Sequence, residues 1–154
     1  FEPEGAAQLI GLDGNALQRS LFSPLYQGDF SSQDERDIAV YLDAEKALHW
    51  WHRNVARSQY AVQGWRREKA YPDFIFALQR EGGDVRVAVL EMKGDHLKGN
   101  DDTDYKQKLL RLVSEHYALE QVGSMELVEG SKTTVEADLV LMSEWKTRLP
   151  EFLK

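Results

Sequence analysis

The chain has 154 residues, which is the size of one domain and too short for a large multidomain protein. Hydrophobic residues make up 42% of the chain, which is enough to form a single core. Nineteen Lys and Arg residues against 26 Asp and Glu residues leave a net charge of −7, which argues against a general nucleic-acid coat protein or a membrane-surface binder. Zero cysteines exclude disulfides, thiolate metal sites and a cysteine nucleophile. No stretch approaches the roughly 20 apolar residues of a membrane span, so we expect a cytoplasmic protein without membrane contact.

The first 30 residues contain scattered glycines and prolines and follow no helix or strand period. We therefore predict an irregular lead-in over residues 1–30 and a single domain over residues 31–154. The chain begins at Phe1 instead of Met, which we interpret as the start of a domain cut from a longer protein.

The first predicted helix begins after Ser32, because Ser32-x-x-Glu35 matches a capping box. Apolar residues then recur at helical spacing, and Glu35 lies on the same stripe as these residues. A carboxylate on the buried stripe suggests a function. The alternative is that Glu35 only completes the capping box.

Positive charge is concentrated in residues 46–69, which carry six basic and one acidic side chain. Three tryptophans, Trp50, Trp51 and Trp65, are interleaved with Arg53, Arg57, Arg66, Arg67 and Lys69. This mixture suits phosphate contact and base stacking in a nucleic-acid interface. The alternative interpretation is that the tryptophans belong to the core and the arginines are solvated.

Aromatic and β-branched residues bounded by turn formers predict strands at 59–64, 71–79 and 85–92, the last two joined as a hairpin at Gly82-Gly83. Residues 103–120 predict a helix with one face formed by Tyr105, Leu109, Leu112, Val113, His116 and Tyr117. A strand near 138–142 and a short C-terminal helix follow. The expected fold is α/β, with a mixed central sheet flanked by helices.

The predicted hairpin brings two carboxylates together. If the turn centres on Gly82, Asp73 lies directly opposite Glu91, where like charges destabilise the pair unless a cation neutralises them. This register needs a loop with an odd number of residues, because a two-residue turn would place Asp73 opposite Met92.

Lys93 shares a strand face with Glu91, because side chains alternate along a strand. Oxygen ligands without His or Cys favour Mg²⁺, with Mn²⁺ as a substitute, and a lysine beside such an ion can orient an attacking water. The alternative for Glu91 and Lys93 is a surface salt bridge.

The residues Pro72-Asp73 and Glu91-Met92-Lys93 resemble the PD-(D/E)xK motif of the restriction-endonuclease-like nucleases, whose core has the order αβββαβ. Longer strings are similar to the nuclease domains attached to type III restriction enzymes and other superfamily 2 helicases: WWHRN at 50–54, YPDFI at 71–75, EMKGDHL at 91–97 and DDTDYK at 101–106.

The resemblance implies a Mg²⁺-dependent DNA nuclease, an endonuclease by analogy, that works with a helicase or ATPase domain in the same or a partner chain. It implies that Asp73, Glu91 and Lys93 are catalytic, that Glu35 joins the two carboxylates at the metal, and that Lys106 contacts phosphate. His96 follows the motif closely enough to touch the substrate. Double-strand cleavage generally needs two such sites, which is compatible with a homodimer.

Two alternative functions stay open. A silent nuclease fold could bind DNA or protein without cutting, and an RNA-directed nuclease would use the same residues. The short motif also recurs at Asp104-Tyr105-Lys106 and Glu144-Trp145-Lys146. Only Glu91-x-Lys93 ends a predicted strand that pairs with the Pro-Asp strand. Lys106 has the further alternative of a solvated helix lysine.

Overall fold

The computed structural model describes residues 6–79, 83–97, 99–118 and 133–154. Within these ranges the chain forms three α-helices and four strands, in the order α1 (Gln33–Ala44), β1 (Leu48–Arg53), β2 (Phe74–Gln79), β3 (Val85–Lys93), α2 (Asp101–Ala118), β4 (Thr133–Leu141) and α3 (Trp145–Phe152). Short 3-10 turns lie at Gln27–Asp29 and Asp95–Leu97. The expected α/β fold is therefore confirmed.

The four strands form one sheet in the order β1-β2-β3-β4. Neighbouring strands are antiparallel except β3 and β4, which are parallel, so the sheet is mixed as predicted. A parallel pair needs a crossover connection, and α2 supplies it on one face of the sheet. The carboxyl end of β3 consequently lies beside the start of α2.

Alternating side chains divide the core into two layers. Ala88, Leu90 and Met92 of β3 face the layer that α1 and α3 cover, together with Trp51, Phe74 and Phe76. Val87 and Val89 face the other layer, which is covered by Leu110 of α2. Glu91 and Lys93 follow the second set by period 2, so the sheet directs both toward α2.

The start of α1 agrees with the capping signal. The Ser32 hydroxyl accepts a hydrogen bond from the Glu35 N–H at 3.2 Å. The Glu35 carboxylate returns to the N–H of Ser31 at 3.1 Å, one residue earlier than a capping box requires. Glu35 is buried on the same stripe as Ile38 and Leu42, as the spacing predicts.

The segment before α1 lies against the edge of the sheet. The N–H of Trp51 donates to the carbonyl of Arg19 at 2.9 Å, and the N–H of Leu21 donates back to Trp51 at 2.9 Å. These bonds cover backbone groups of β1 that would otherwise form an open edge. The first five residues of the predicted lead-in lie outside the described ranges.

The strand predicted at 59–64 is wrong, and the first strand is Leu48–Arg53 instead. Only Val62 of the predicted segment makes a bridge, to Ala70. The tryptophan-rich segment pairs with β2 because it carries the larger apolar side chains, and Trp51 is fully buried there. Its basic residues favour a surface position, so the sequence pattern did not predict a strand over Leu48–Arg53.

The boundaries and the buried face of the second helix also differ from the prediction. The helix begins at Asp101, and the predicted end at 119–120 lies outside the described residues. Leu110 is fully buried whereas Leu112 is 49% exposed. The helix packs between the sheet and the segment around Val62, so it buries two adjacent stripes of side chains. The prediction assumed a single buried face and therefore omitted the stripe that contains Leu110. The strand predicted near 138–142 spans Thr133–Leu141.

Candidate active site

The predicted register of the β2–β3 hairpin is confirmed. Phe74 pairs with Leu90 and Gln79 pairs with Val85, which leaves a connecting loop with an odd number of residues. Gly83 adopts a φ of +88° in this loop, a conformation that favours glycine, whereas Gly82 lies outside the described residues. One step beyond Phe74 and Leu90, Asp73 therefore lies next to Glu91.

Asp73 is held at the end of β2 by backbone hydrogen bonds. Its N–H donates to the carbonyl of Leu90 at 2.8 Å, and its Oδ2 accepts from the N–H of Met92 at 2.7 Å. The carbonyl of Asp73 accepts from the N–H of Asn54 at 2.8 Å. The backbone of Asp73 is thus tied to β3 and to the residue that follows β1, and its carboxylate is bonded to β3.

The electrostatics of Asp73 are unusual for an aspartate. Burial and repulsion from the carboxylate of Glu91 raise the pKa of Asp73 from 3.8 to about 7, against the opposing effect of the Met92 N–H. Glu35 adds a smaller repulsion. Two carboxylates this close disfavour ionising together, which is a recurrent feature of functional sites.

Two lysines lie against Glu91. Lys106 Nζ is 2.8 Å from Glu91 Oε1, and Lys93 Nζ is 3.7 Å from the same oxygen. Burial opposes the charge of Lys106, but the hydrogen bond and attraction from Glu91 outweigh it and raise the pKa of Lys106. Asp102 contacts both lysines, at 3.4 Å from Lys93 and 3.6 Å from Lys106.

One carboxylate oxygen of Glu91 is buried and lacks a partner within the described part of the chain. Glu91 is only 4% exposed, and its Oε2 has no hydrogen-bond partner among the described residues. A buried charged oxygen without a partner is costly, so native proteins rarely leave one without a function.

These side chains line an open cleft of about 790 Å³. Its wall includes the acidic residues Asp73, Glu91 and Asp102 and the basic residues Arg57, Arg67, Lys69, Lys93 and Lys106. Glu68 is the fourth acidic residue at this wall. Five basic against four acidic residues make the cleft locally basic in a chain whose net charge is −7.

The structure divides the predicted basic segment between the core and the cleft, and its role in binding nucleic acid stays a prediction. Trp51 is core, and its indole N–H donates to Asp43 at 2.9 Å. Arg57, Arg67 and Lys69 line the cleft, and Trp65 is 61% exposed.

Four predicted site residues lie apart from the cleft wall. Arg53 is 3.4 Å from Glu35 and stacks on the ring of Phe30. The hydroxyl of Ser31 also donates to Glu35, so both oxygens of Glu35 have partners. Arg66 stacks on the ring of Tyr105 at 4.6 Å. His96 is exposed on the 3-10 turn that follows β3.

Sequence reasoning missed two residues of the site. Asp102 could have been identified, because it precedes Lys106 by one helical turn in the string DDTDYK. Asn54 carries no such signal. Its buried side-chain amide donates to the carbonyls of Tyr60 and Pro72, both at 2.8 Å, and its Oδ1 accepts from the N–H of Tyr60 at 2.9 Å. Asn54 thereby ties the cleft segment containing Arg57 to Asp73.

Comparison of this chain with protein-family models, with curated proteins and with solved structures finds no match. The functional interpretation therefore depends on the chemistry of the cleft. Among the described helices, none is both long and apolar enough to cross a membrane.

Proposed function

We propose that this chain is a Mg²⁺-dependent nuclease of the PD-(D/E)xK type, which hydrolyses phosphodiester bonds of DNA. One observation carries the proposal: Asp73 and Glu91 lie side by side at the ends of paired strands, and Glu91 keeps a buried oxygen without a partner among the described residues. Lys93 follows on the same face of β3, at 3.7 Å from Glu91.

The donor chemistry fits a hard divalent cation. Asp73 and Glu91 supply carboxylate oxygens, which Mg²⁺ and Mn²⁺ prefer, and Mg²⁺ usually takes one or two carboxylates and keeps several waters. The described residues contain no group of three or more His, Asp or Glu side chains placed to hold an ion. We therefore assign Asp73 and Glu91 as the protein ligands, with Glu35 reaching the site only if its contacts with Arg53 and Ser31 rearrange.

The other cleft residues suit phosphodiester hydrolysis. A bound Mg²⁺ would lower the pKa of a coordinated water and stabilise negative charge on the phosphate. Lys93 would orient the attacking water and stabilise the charge that develops on the phosphate oxygens. Lys106 would contact a neighbouring phosphate, and Arg57, Arg67 and Lys69 would hold the strand through its phosphates.

The fold supports the same proposal. The order helix, three strands, helix, strand is the αβββαβ order of restriction-endonuclease-like nucleases, and the carboxylates lie at the strand ends that such a motif requires. The net charge of −7 weakens affinity for DNA outside the cleft. We therefore infer that a helicase or ATPase domain delivers the substrate, and that a homodimer would serve double-strand cleavage.

Cleavage assays test this function directly. Purified protein is incubated with circular and linear DNA, single- and double-stranded, in Mg²⁺, Mn²⁺ or EDTA. We expect metal-dependent cutting that Asp73→Ala and Lys93→Ala each reduce at least 100-fold, because each removes a group that acts on the reacting phosphate. Matched RNA substrates in the same assay decide between DNA and RNA.

The copy of the short motif at Glu144-Trp145-Lys146 provides the control. Glu144→Gln and Lys146→Ala change exposed residues of the matching tripeptide at the start of α3 and should leave cleavage unchanged. Cutting that survives Asp73→Ala and Lys93→Ala would refute the assignment of the site.

The ion pair between Lys106 and Glu91 favours a second candidate function. A lysine at 2.8 Å can balance the charge of Glu91 without a metal, as in a nuclease fold that binds DNA or a protein and does not cut. Calorimetric titration with Mg²⁺ and Mn²⁺ separates the two candidates. Binding that Asp73→Ala abolishes supports the nuclease, and no binding to a folded wild-type protein supports the silent module.

A further inference from the structure

An exposed tryptophan lies beside the basic cleft. Trp65 is 61% exposed, although burial of so large an apolar side chain would be favourable. It is the third tryptophan of the basic segment, and it is followed by Arg66, Arg67 and Lys69. Neither the carboxylate pair nor the fold requires an indole at this position.

The backbone around Trp65 is held firmly on α2. A Cβ added at Gly64 would lie 2.9 Å from a methyl carbon of Leu109 and closer still to the hydroxyl of Tyr105, so only glycine permits this approach. The N–H of Arg66 donates to the Tyr105 hydroxyl at 3.3 Å. Gln63 donates to the carbonyl of Arg66 at 2.7 Å, which closes the loop.

The indole of Trp65 packs against the ring of Tyr105 and stays largely exposed. Its ring meets the ring of Tyr105 edge to face, with centroids 5.0 Å apart, while Arg66 stacks on Tyr105. Tyr105 is buried and sets the position of the indole without covering it. A large aromatic surface is therefore exposed to solvent, and its contact with a buried ring restricts the indole, which reduces the entropy lost on binding.

The position of the Trp65 indole relative to the cleft follows from the residues next to it on α2 and in its own loop. Tyr105 adjoins Lys106, whose ammonium group lines the cleft, and Arg67 and Lys69 of the loop line it too. Trp65 therefore lies two residues before Arg67 in the loop that contributes to the cleft wall, and it packs on the residue that precedes Lys106. A strand whose phosphates contact Arg67 and Lys69 would bring its bases toward Trp65.

We propose that Trp65 stacks against an unpaired base, so that the cleft takes single-stranded DNA or a single-stranded segment of a larger substrate. Duplex bases already stack on their neighbours and offer no free face, whereas every unpaired base does. This inference rests on the proposed nuclease function, because it places the stacked base in the strand that enters the cleft.

Binding in EDTA tests the stacking without cleavage. Fluorescence anisotropy measures the affinity for labelled single-stranded oligothymidine, for the matched duplex and for an abasic strand with the same phosphates. We expect Trp65→Ala to weaken single-strand binding about 5-fold to 150-fold, the range for loss of one stacked base, and to change duplex binding by less than about twofold. Trp65→Phe should retain part of the affinity.

The abasic strand makes the result specific to stacking. Wild-type protein should lose affinity for it by a similar factor, and Trp65→Ala should bind intact and abasic strands almost equally. Leu112→Ala, which removes another exposed apolar side chain from the surface of α2, should bind like the wild type. Equal loss of intact and abasic binding in Trp65→Ala would overturn the proposal, as would an unchanged affinity for the intact strand.

The stacking inference and the nuclease proposal fail in different ways. Metal-dependent cleavage without any difference between intact and abasic strands would leave the nuclease and remove the stacking role. A Trp65-dependent preference for intact strands without cleavage in either metal would keep the stacking role and remove the nuclease.

Discussion

Asp73 is a carboxyl whose ionisation opposes folding. Its pKa of about 7 in the folded protein lies above the ordinary value of 3.8, so the folded state holds the proton more tightly than the unfolded state does. The stability that this gives is complete below about pH 4 and is lost as the pH rises through 7. At neutral pH without metal, the carboxylate pair therefore destabilises the protein.

Neutralising Asp73 should increase stability in the absence of metal. Asp73→Asn keeps an oxygen that can accept from the Met92 N–H and removes the repulsion with Glu91. We expect its stability advantage over the wild type, measured by urea unfolding in EDTA, to grow by about 2–3 kcal/mol between pH 5 and pH 8. An advantage independent of pH would contradict the raised pKa.

An aspartate elsewhere in the chain provides the control for this titration. Asp104 is exposed near the start of α2. Asp104→Asn should therefore show no comparable change in its stability difference between the two pH values. Mg²⁺ should raise the stability of the wild type and leave Asp73→Asn almost unaffected, because a ligand stabilises only the state that binds it.

Lys106 competes with a cation for Glu91. Its ammonium group is 2.8 Å from Oε1, so a metal that binds both carboxylates must displace this contact or share the oxygen. We expect Lys106→Met to tighten Mg²⁺ binding several-fold in calorimetric titrations, because it removes a positive charge from the site. Lys108→Met, at an exposed position on the same helix, should not. Weaker binding in Lys106→Met would show that Lys106 orients Glu91 for the metal.

At the scale of elements, one side chain joins the end of α1 to two other segments. Asp43 accepts from the N–H of Arg19 at 2.8 Å and of Gln18 at 3.0 Å, and from the indole of Trp51 at 2.9 Å. Asp43→Ala leaves these donors unpaired, and we expect it to lower the free energy of unfolding by about 2–3 kcal/mol.

Urea denaturation followed by far-UV circular dichroism measures this loss. Asp37→Ala is the matched control, since Asp37 is exposed on the same helix and accepts a hydrogen bond from the side chain of the neighbouring-turn residue Gln33, at 2.7 Å. It should cost less than about 0.5 kcal/mol. Equal effects of the two substitutions would show that the contacts of Asp43 contribute little.

The close packing of the Trp65 loop on α2 makes a second prediction at this scale. Gly64→Ala places a methyl group against Tyr105 and Leu109, so the loop must move away from the helix. We expect about 1–3 kcal/mol of destabilisation and a loss of single-strand affinity similar to that of Trp65→Ala. Gly28→Ala, where the added methyl meets nothing within 4 Å, is the control. An unchanged affinity for single-stranded DNA in Gly64→Ala would show that binding does not depend on the position of this loop.

At the scale of the whole molecule, charge is segregated. The chain carries −7 overall, yet the cleft wall has five basic and four acidic residues, so the cleft is more favourable to an anion than the net charge suggests. A polyanion should therefore bind weakly, with a salt dependence set by the few phosphates that the cleft neutralises.

The salt dependence of the binding constant measures how many phosphates the cleft neutralises. Each contact contributes about 0.7 to the slope of log K against log salt for single strands. Replacing Arg57, Arg67 and Lys69 together by glutamine should reduce the slope by about 2 in anisotropy titrations. The control is Arg111→Gln, an exposed position on α2 that pairs with Glu115. An unchanged slope in the triple variant would exclude the cleft as the phosphate site.

Local sequence was sufficient for much of the site. The helix start at Ser32 followed from capping chemistry, and the approach of Asp73 to Glu91 followed from the period-2 geometry of a hairpin with an odd loop. Both depend on contacts between residues close in sequence or paired through one turn. The functional role of the carboxylate pair stays a prediction.

Tertiary packing decided what local patterns could not. The burial of Trp51 in β1, the exposure of Trp65 and the second buried stripe of α2 depend on which segments pack together, and neither charge nor periodicity specifies that. The contacts of Asn54, and the Glu91 oxygen that has no partner among the described residues, are equally non-local. The sequence by itself therefore determined the α/β order and, for a hairpin loop with an odd number of residues, the carboxylate pair, because these follow from backbone geometry. Only the tertiary structure decided which cations surround the pair and which aromatic surface stays open, because these depend on contacts between segments distant in sequence.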